Sequence, residues 1–150
     1  MDDINNVISK VFDFSNLSDM EVKVLNPLEW AYIGDAVYEL YVRSHTLSLK
    51  RGGIHEHHIE SVRFAKAKSQ AKMLISIMPR LSLEEQDIVR RGRNTKTNHI
   101  PKNADVLEYR QATAFEALIG YLYLSKKYSR VSEIMKMVFE IDKSETKIEN

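Results

Sequence analysis

Two stretches of the chain, WAYIGDAVYEL at 30–40 and ATAFEALIGYLYL at 112–124, are apolar or small over most of their length, yet each places a carboxylate at its centre, Asp35 and Glu116. Segments of this kind bury most of their surface, and an isolated ionised carboxylate is expensive to bury unless it is paired, hydrogen-bonded or protonated. At helical spacing Asp35 shares its stripe with Leu28, Ala31, Tyr32, Tyr38, Glu39 and Val42, and Glu116 shares its own with Tyr109, Ala112, Thr113, Ile119, Gly120 and Tyr123. Neither acid lies on a polar face. The small residues nearby, Gly34 and Ala36 on one segment and Ala112, Ala117 and Gly120 on the other, allow two helix backbones to approach closely. Two arrangements satisfy these constraints. Each carboxylate can serve an arginine or the end of a neighbouring helix, or the two can converge on one hard divalent cation, which takes oxygen ligands.

Helix signals dominate the remaining chain. Asn26 followed by Pro27 reads as a cap and first turn, and the pattern predicts a helix over 27–47 that ends at KRGG. One long helix is expected over 55–78, closed by Pro79, and a short one from the capping box of Ser82 and Glu85 to Gly92. A polar loop, RNTKTNHIPKN, leads to a helix through the second acidic stretch, and Ser129 is expected to cap a last helix that ends near Asp142. No hairpin pattern, internal repeat or low-complexity segment is present. The expectation is an all-α, single-domain helical bundle over 1–142 with a frayed charged tail at 143–150.

With 150 residues, 43% of them hydrophobic and 29% charged, the chain has material for one packed core. Its longest uncharged apolar run, ALIGYLYLS, is too short to span a bilayer. The first residues lack the pattern of a secretory signal and the chain contains no cysteine, so a cytoplasmic protein is expected. The net charge of +1 hides a segregation: residues 1–39 sum to −6, residues 40–103 to +8 and residues 104–150 to −1. A basic middle of this kind is an electrostatic footprint for a polyanion, or simply a solvated basic face. Within it, the segment 88–104 carries Arg90, Arg91, Arg93, Lys96 and Lys102 without an acid, interleaved with Asn94, Thr95, Thr97, Asn98 and Asn103. Guanidinium forks with amide and hydroxyl donors suit phosphate and 2′-hydroxyl groups. A second basic series, Arg63, Lys66, Lys68 and Lys72, does not share one helix face. HEHH at 55–58 fails as a zinc-protease pattern because Ile59, not a histidine, lies four residues after His55.

AYIGDAVYEL and TAFEALIGYLYL resemble the two signature segments of the ribonuclease III catalytic domain. Together with RRGRN at 90–94, PKNADV at 101–106 and EYRQATAFEALIGYLYL at 108–124, they are similar above all to the bacterial Mini-ribonuclease III family, a likeness that spans roughly residues 24–128. The resemblance implies a catalytic domain of the ribonuclease III type without a separate double-stranded-RNA-binding domain. It implies a Mg2+-dependent endoribonuclease, with Mn2+ as a substitute, that hydrolyses double-stranded RNA to 5′-phosphate and 3′-hydroxyl ends. It further implies a homodimer, and a role in maturation of precursor large-subunit (23S) ribosomal RNA. Carried over by position, Asp35 and Glu116 are the catalytic metal ligands; the composition of the basic segment makes Arg90, Arg91, Arg93, Asn94, Lys96 and Lys102 the expected RNA-binding set. Tyr32, Ile33 and Trp30 are candidates for part of the dimer face, with core packing as the alternative for each. Ribonuclease III proper carries further acids where this chain has Ala31 and Thr113, so half of the acidic cluster is missing and Glu39 or the Thr113 hydroxyl is left to complete the ion's shell. A non-catalytic helical RNA-binding protein is the competing reading.

Overall fold

The computed structural model describes Ile4, Asn6, Val7 and residues 13–49, 52–97 and 99–148. Asn98 of the polar loop, and Lys50 and Arg51 at the expected end of the first long helix, lie outside the described residues. From Asp19 onward the described residues form, in order, α1 (Asp19–Val24), α2 (Pro27–Ser48), α3 (Ile54–Ala65), α4 (Ala67–Ile77), α5 (Leu83–Asn94), α6 (Val106–Leu124) and α7 (Tyr128–Ile148). A short 3-10 turn, Met78–Arg80, joins α4 to α5. The described residues contain no strand, as expected of an all-α bundle.

Local chemistry starts several helices where the sequence places them. The Asn26 side chain accepts from the Leu28 N–H while Glu29 reaches back to the Asn26 N–H, and Ser82 and Glu85 form the same reciprocal box on α5. Asp105 caps α6 through the Glu108 N–H. A central position follows from the composition of α6, which buries Ala112, Ala114, Phe115, Ala117, Leu118, Ile119, Gly120, Tyr121 and Leu122 on all sides. Around it pack α1, α2, α4, α5 and α7.

Helices α2 and α6 touch backbone to backbone. A Cβ added to Gly34 would land on the Glu116 carbonyl oxygen, and one added to Gly120 would land on the Trp30 carbonyl oxygen. Trp30 is fully buried beside this crossing, donates its indole N–H to the Val22 carbonyl at 2.8 Å and meets Tyr121 edge to face. It is therefore core, whereas Tyr32, one of the other two residues considered for a dimer face, is 83% exposed.

Four expectations are corrected. The single helix over 55–78 is two helices, because Lys66 is extended (ψ 140°). The carbonyls that a continuous helix would use internally are taken by other groups: Tyr38 Oη donates to Phe64 O at 2.8 Å, and Ser69 Oγ to Arg63 O at 2.8 Å. Gly92 does not end α5, which runs to Asn94; it is a contact point, where a Cβ would come within 3.0 Å of Ala114 and Ala117 on α6. Ser129 lies inside α7 rather than capping it, because helical bonding already begins with the Val131 N–H on the Lys127 carbonyl. Finally, α7 continues past Asp142 to Ile148, held by Arg63 on Asp142 at 2.7 Å and Lys72 on Glu145 at 3.0 Å.

The crossing makes a stability prediction. Gly34→Ala should cost more than about 3 kcal/mol in urea denaturation, since the obstacle is backbone and cannot swing away. Gly53→Ala is the control: its Cβ would meet only a Glu56 carboxylate oxygen at 3.5 Å, and the cost should stay below about 1 kcal/mol.

Candidate active site

The α2–α6 crossing creates a cleft beside it. Leu28, Ala31, Tyr32, Ile33, Asp35, Ala36 and Glu39 of α2 and Tyr109, Thr113 and Glu116 of α6 line an open hollow of about 530 Å³. These are largely the two stripes legible at helical spacing, now facing each other. Asp35 follows Gly34 in the chain and Glu116 lies one turn before Gly120, so the close approach of the glycines brings both acids to one cleft.

The electrostatics follow from that placement. Burial raises the Glu116 carboxyl, the negative charge of Asp35 raises it further, and the Gln70 side chain pulls it partly back, leaving it at about 7. Asp35 is more exposed; burial and the nearby Glu39 charge push it upward. Neither carboxylate has an ion-pair partner among the described residues, which removes the arginine-partner reading for that part of the chain. Two carboxylates in one cleft, with Asp35 raising the pKa of Glu116 and neither acid ion-paired among the described residues, suit a hard divalent cation.

The protein shell available to such a cation would be sparse. No group of three or more acidic, histidine or cysteine side chains with metal-holding geometry occurs among the described residues. Glu39 lines the cleft but is engaged by Arg43 Nε at 2.8 Å. Thr113 donates its hydroxyl to the Tyr109 carbonyl at 3.0 Å, which leaves the oxygen's lone pairs available toward the cleft. Ala31 lines the same wall and contributes no ligand atom.

The basic segment divides into two populations. Arg90, Asn94, Lys96 and Lys102 are exposed and Arg93 is partly so. Arg90 pairs with Asp87 at 2.6 Å. Arg91 turns inward: its guanidinium lies 4.7 Å from the centre of the Trp30 ring and donates to the Lys23 carbonyl at 3.2 Å. In the second series, Arg63 is held by Glu60 and Asp142 and Lys72 by Glu145, so these two charges are used within the fold. The buried Gln70 beside Glu116 escaped the sequence reading, because a helix drawn straight through Lys66 carries no signal for where α4 turns its face.

A pH prediction follows for the protein without divalent ions. The folded-state pKa of Glu116, about 7, lies above its unfolded value of 4.5, so the folded state binds the proton more tightly and stability falls as pH rises through that window. The full penalty above pH 7 is on the order of 3 kcal/mol. Glu116→Gln should therefore raise the melting temperature at pH 8 by roughly 5–10 °C and much less at pH 5, read by calorimetry in chelator. An equal change at both pH values would show that the carboxyl carries no such load.

Comparison with known proteins agrees with the geometry. The family model for the Ribonuclease III domain matches residues 28–127. A Mini-ribonuclease 3 of Thermoanaerobacter sp. (strain X514) is 47% identical over 117 residues, covering 78% of this chain and 82% of the relative. A Mini-ribonuclease 3 of Brevibacillus brevis is 46% identical over 121 residues, covering 81% and 90% respectively. Among solved structures, the X-ray crystal structure of protein FN1578 from Fusobacterium nucleatum superposes with a TM-score of 0.72 at 32% identity, over 81% of this chain and 97% of that one. With two facing acidic stripes, an all-helical core and relatives aligned over most of its length, the chain belongs to the ribonuclease III domain family, among the Mini-ribonuclease 3 proteins.

Proposed function

We propose that this protein is a divalent-metal-dependent endoribonuclease that hydrolyses phosphodiester bonds in double-stranded RNA. The observation that carries the reading is the pair of carboxylates, Asp35 and Glu116, meeting across one open cleft with no ion-pair partner among the described residues. Membership in the ribonuclease III family supports the substrate class. Asp35 and Glu116 are the residues that would hold Mg2+, or Mn2+ in its place, with the Thr113 hydroxyl beside them. When bound, such an ion supplies a lowered pKa for a coordinated water and offsets charge on the phosphoryl group, giving 5′-phosphate and 3′-hydroxyl ends. Glu116 is the deeper and more strongly perturbed of the two acids; Asp35, nearer solvent, is the one facing incoming substrate.

RNA is held by the surface of the same domain. Arg93, Asn94, Lys96 and Lys102 present exposed or half-exposed donors on the segment that leads into α6, whose first turns already line the cleft. Such groups contact phosphates and 2′-hydroxyls and read duplex shape rather than sequence. Arg90 joins them if it exchanges Asp87 for phosphate, whereas Arg91 serves the fold first.

Cutting both strands calls for two sites, and a homodimer provides them. The apolar groove of Ile33, Val37, Leu40, Tyr41, Tyr123, Tyr128 and Val131, adjoining the exposed Tyr32, supports a self-complementary interface next to the cleft. Trimming of precursor 23S ribosomal RNA is the role proposed for it, in the cytoplasm. No helix of the described residues is long and apolar enough to cross a membrane.

The decisive assay incubates the protein with a long RNA duplex, with and without Mg2+, beside Asp35→Asn and Glu116→Gln. Cleavage should require the ion and fall by at least about 100-fold in either variant. Cleavage that survives Asp35→Asn would remove Asp35 from the site, and no cleavage by wild type with any divalent ion would favour a non-catalytic RNA-binding protein. For the basic segment, Arg93→Ala and Lys96→Ala should each weaken duplex binding and lower the salt slope by roughly one unit. Arg91→Ala should mainly lower the melting temperature, through loss of its contact with Trp30.

A further inference from the structure

The side chain of Gln70, on α4, is 2% exposed among apolar neighbours on its own helix, Ala71, Met73, Leu74 and Ile77. Its Nε2 is fully buried and makes no hydrogen bond of proper geometry with any described residue. A carboxamide left in that state costs roughly 1–3 kcal/mol, which an apolar side chain of the same size would avoid. The group it addresses is Glu116: the Gln70 side chain stands against that carboxyl and stabilises its ionised form. Glu116 lines the cleft, whereas Gln70 does not and is buried beside it.

Other parts of the fold hold Gln70 in this position. Tyr38, on the same helix as Asp35, ties the Phe64 carbonyl, Ser69 ties that of Arg63, and the Gln70 N–H closes the first turn of α4 on the Lys66 carbonyl at 3.0 Å. The interruption at Lys66 thus sets the phase with which α4 presents Gln70 to α6.

We infer that Gln70 is a positioning residue for the candidate cation site: its buried amide, set against the Glu116 carboxylate, fixes the orientation of that group so that an oxygen is offered to the cleft. The inference rests on the metal-site reading of Asp35 and Glu116 given above. With so few acids in the cleft, the orientation of each one weighs more on ion affinity than it would in a site with four. The buried amide is then explained by the carboxylate whose orientation it sets.

The test titrates Mn2+ into RNA-free protein by calorimetry, for wild type, Asp35→Asn, Gln70→Met and Gln70→Leu, and records melting temperatures in chelator. Wild type should bind, and Asp35→Asn should bind weakly. Gln70→Met should bind Mn2+ about 10- to 100-fold more weakly while its chelator melting temperature equals or exceeds that of wild type. Binding within twofold of wild type would overturn the inference and leave the metal site standing. Loss of binding in parallel with a lower melting temperature in both Gln70 variants would make Gln70 a packing residue and also overturn it. If wild type itself takes up no Mn2+, the metal reading fails first and the role of Gln70 fails with it. Gln70→Leu decides the matter if Gln70→Met does not fold.

Discussion

Two glycines set the geometry on which the rest of the molecule depends. Gly34 and Gly120 let α2 and α6 approach until backbone meets backbone, and no side chain fits at either position without displacing a carbonyl. Asp35 and Glu116 sit within a turn of that contact, so the distance that packs the core also brings the two acids together. The same closeness withdraws water from Glu116 and places Asp35 charge beside it, which holds its carboxyl at about 7. Packing and chemistry share one cause here, and a looser crossing would weaken both.

Polar clamps carry the outer helices around this centre. Arg63 grips Glu60 and Asp142, tying α3 to α7, and Arg130 forks onto the nearly buried Glu85 at 2.9 Å, tying α7 to α5. Glu85 does this while closing its own capping box, and Arg130 with the Ser82 contacts holds its pKa low against the upward push of burial. Truncating either partner of such a partly buried pair would leave a charge uncompensated. Tyr38 plays the corresponding neutral part, its hydroxyl accounting for a carbonyl that the interrupted helix releases.

The basic segment shows how charge counted along a sequence divides in space. Arg91 and Arg93 are two residues apart, yet one guanidinium covers a tryptophan ring at the core's edge and the other remains partly in solvent. Helical geometry sends such neighbours to different faces, and composition does not distinguish them. The stripes on α2 and α6 were legible for the opposite reason: offsets of three, four and seven residues are a property of any helix, so Tyr109, Thr113 and Ala31 could be assigned to the acids' faces before any packing was known. Gln70 was not legible. Its orientation depends on a hydrogen bond between residues 38 and 64, which no local pattern encodes.

The sequence alone determined what short-range forces decide: the caps at Asn26 and Ser82, the helical periods, and the carboxylate at the centre of each of two largely apolar stripes. These rest on contacts within one or two turns, where residue type and spacing are sufficient. The tertiary structure decided that the two stripes face each other, that the helix drawn over 55–78 breaks at Lys66, that Gly92 is a contact rather than an end, and that Arg91 turns inward. Each of these depends on groups distant in the chain competing for the same carbonyl, ring or volume, and only the assembled fold sets the outcome of that competition.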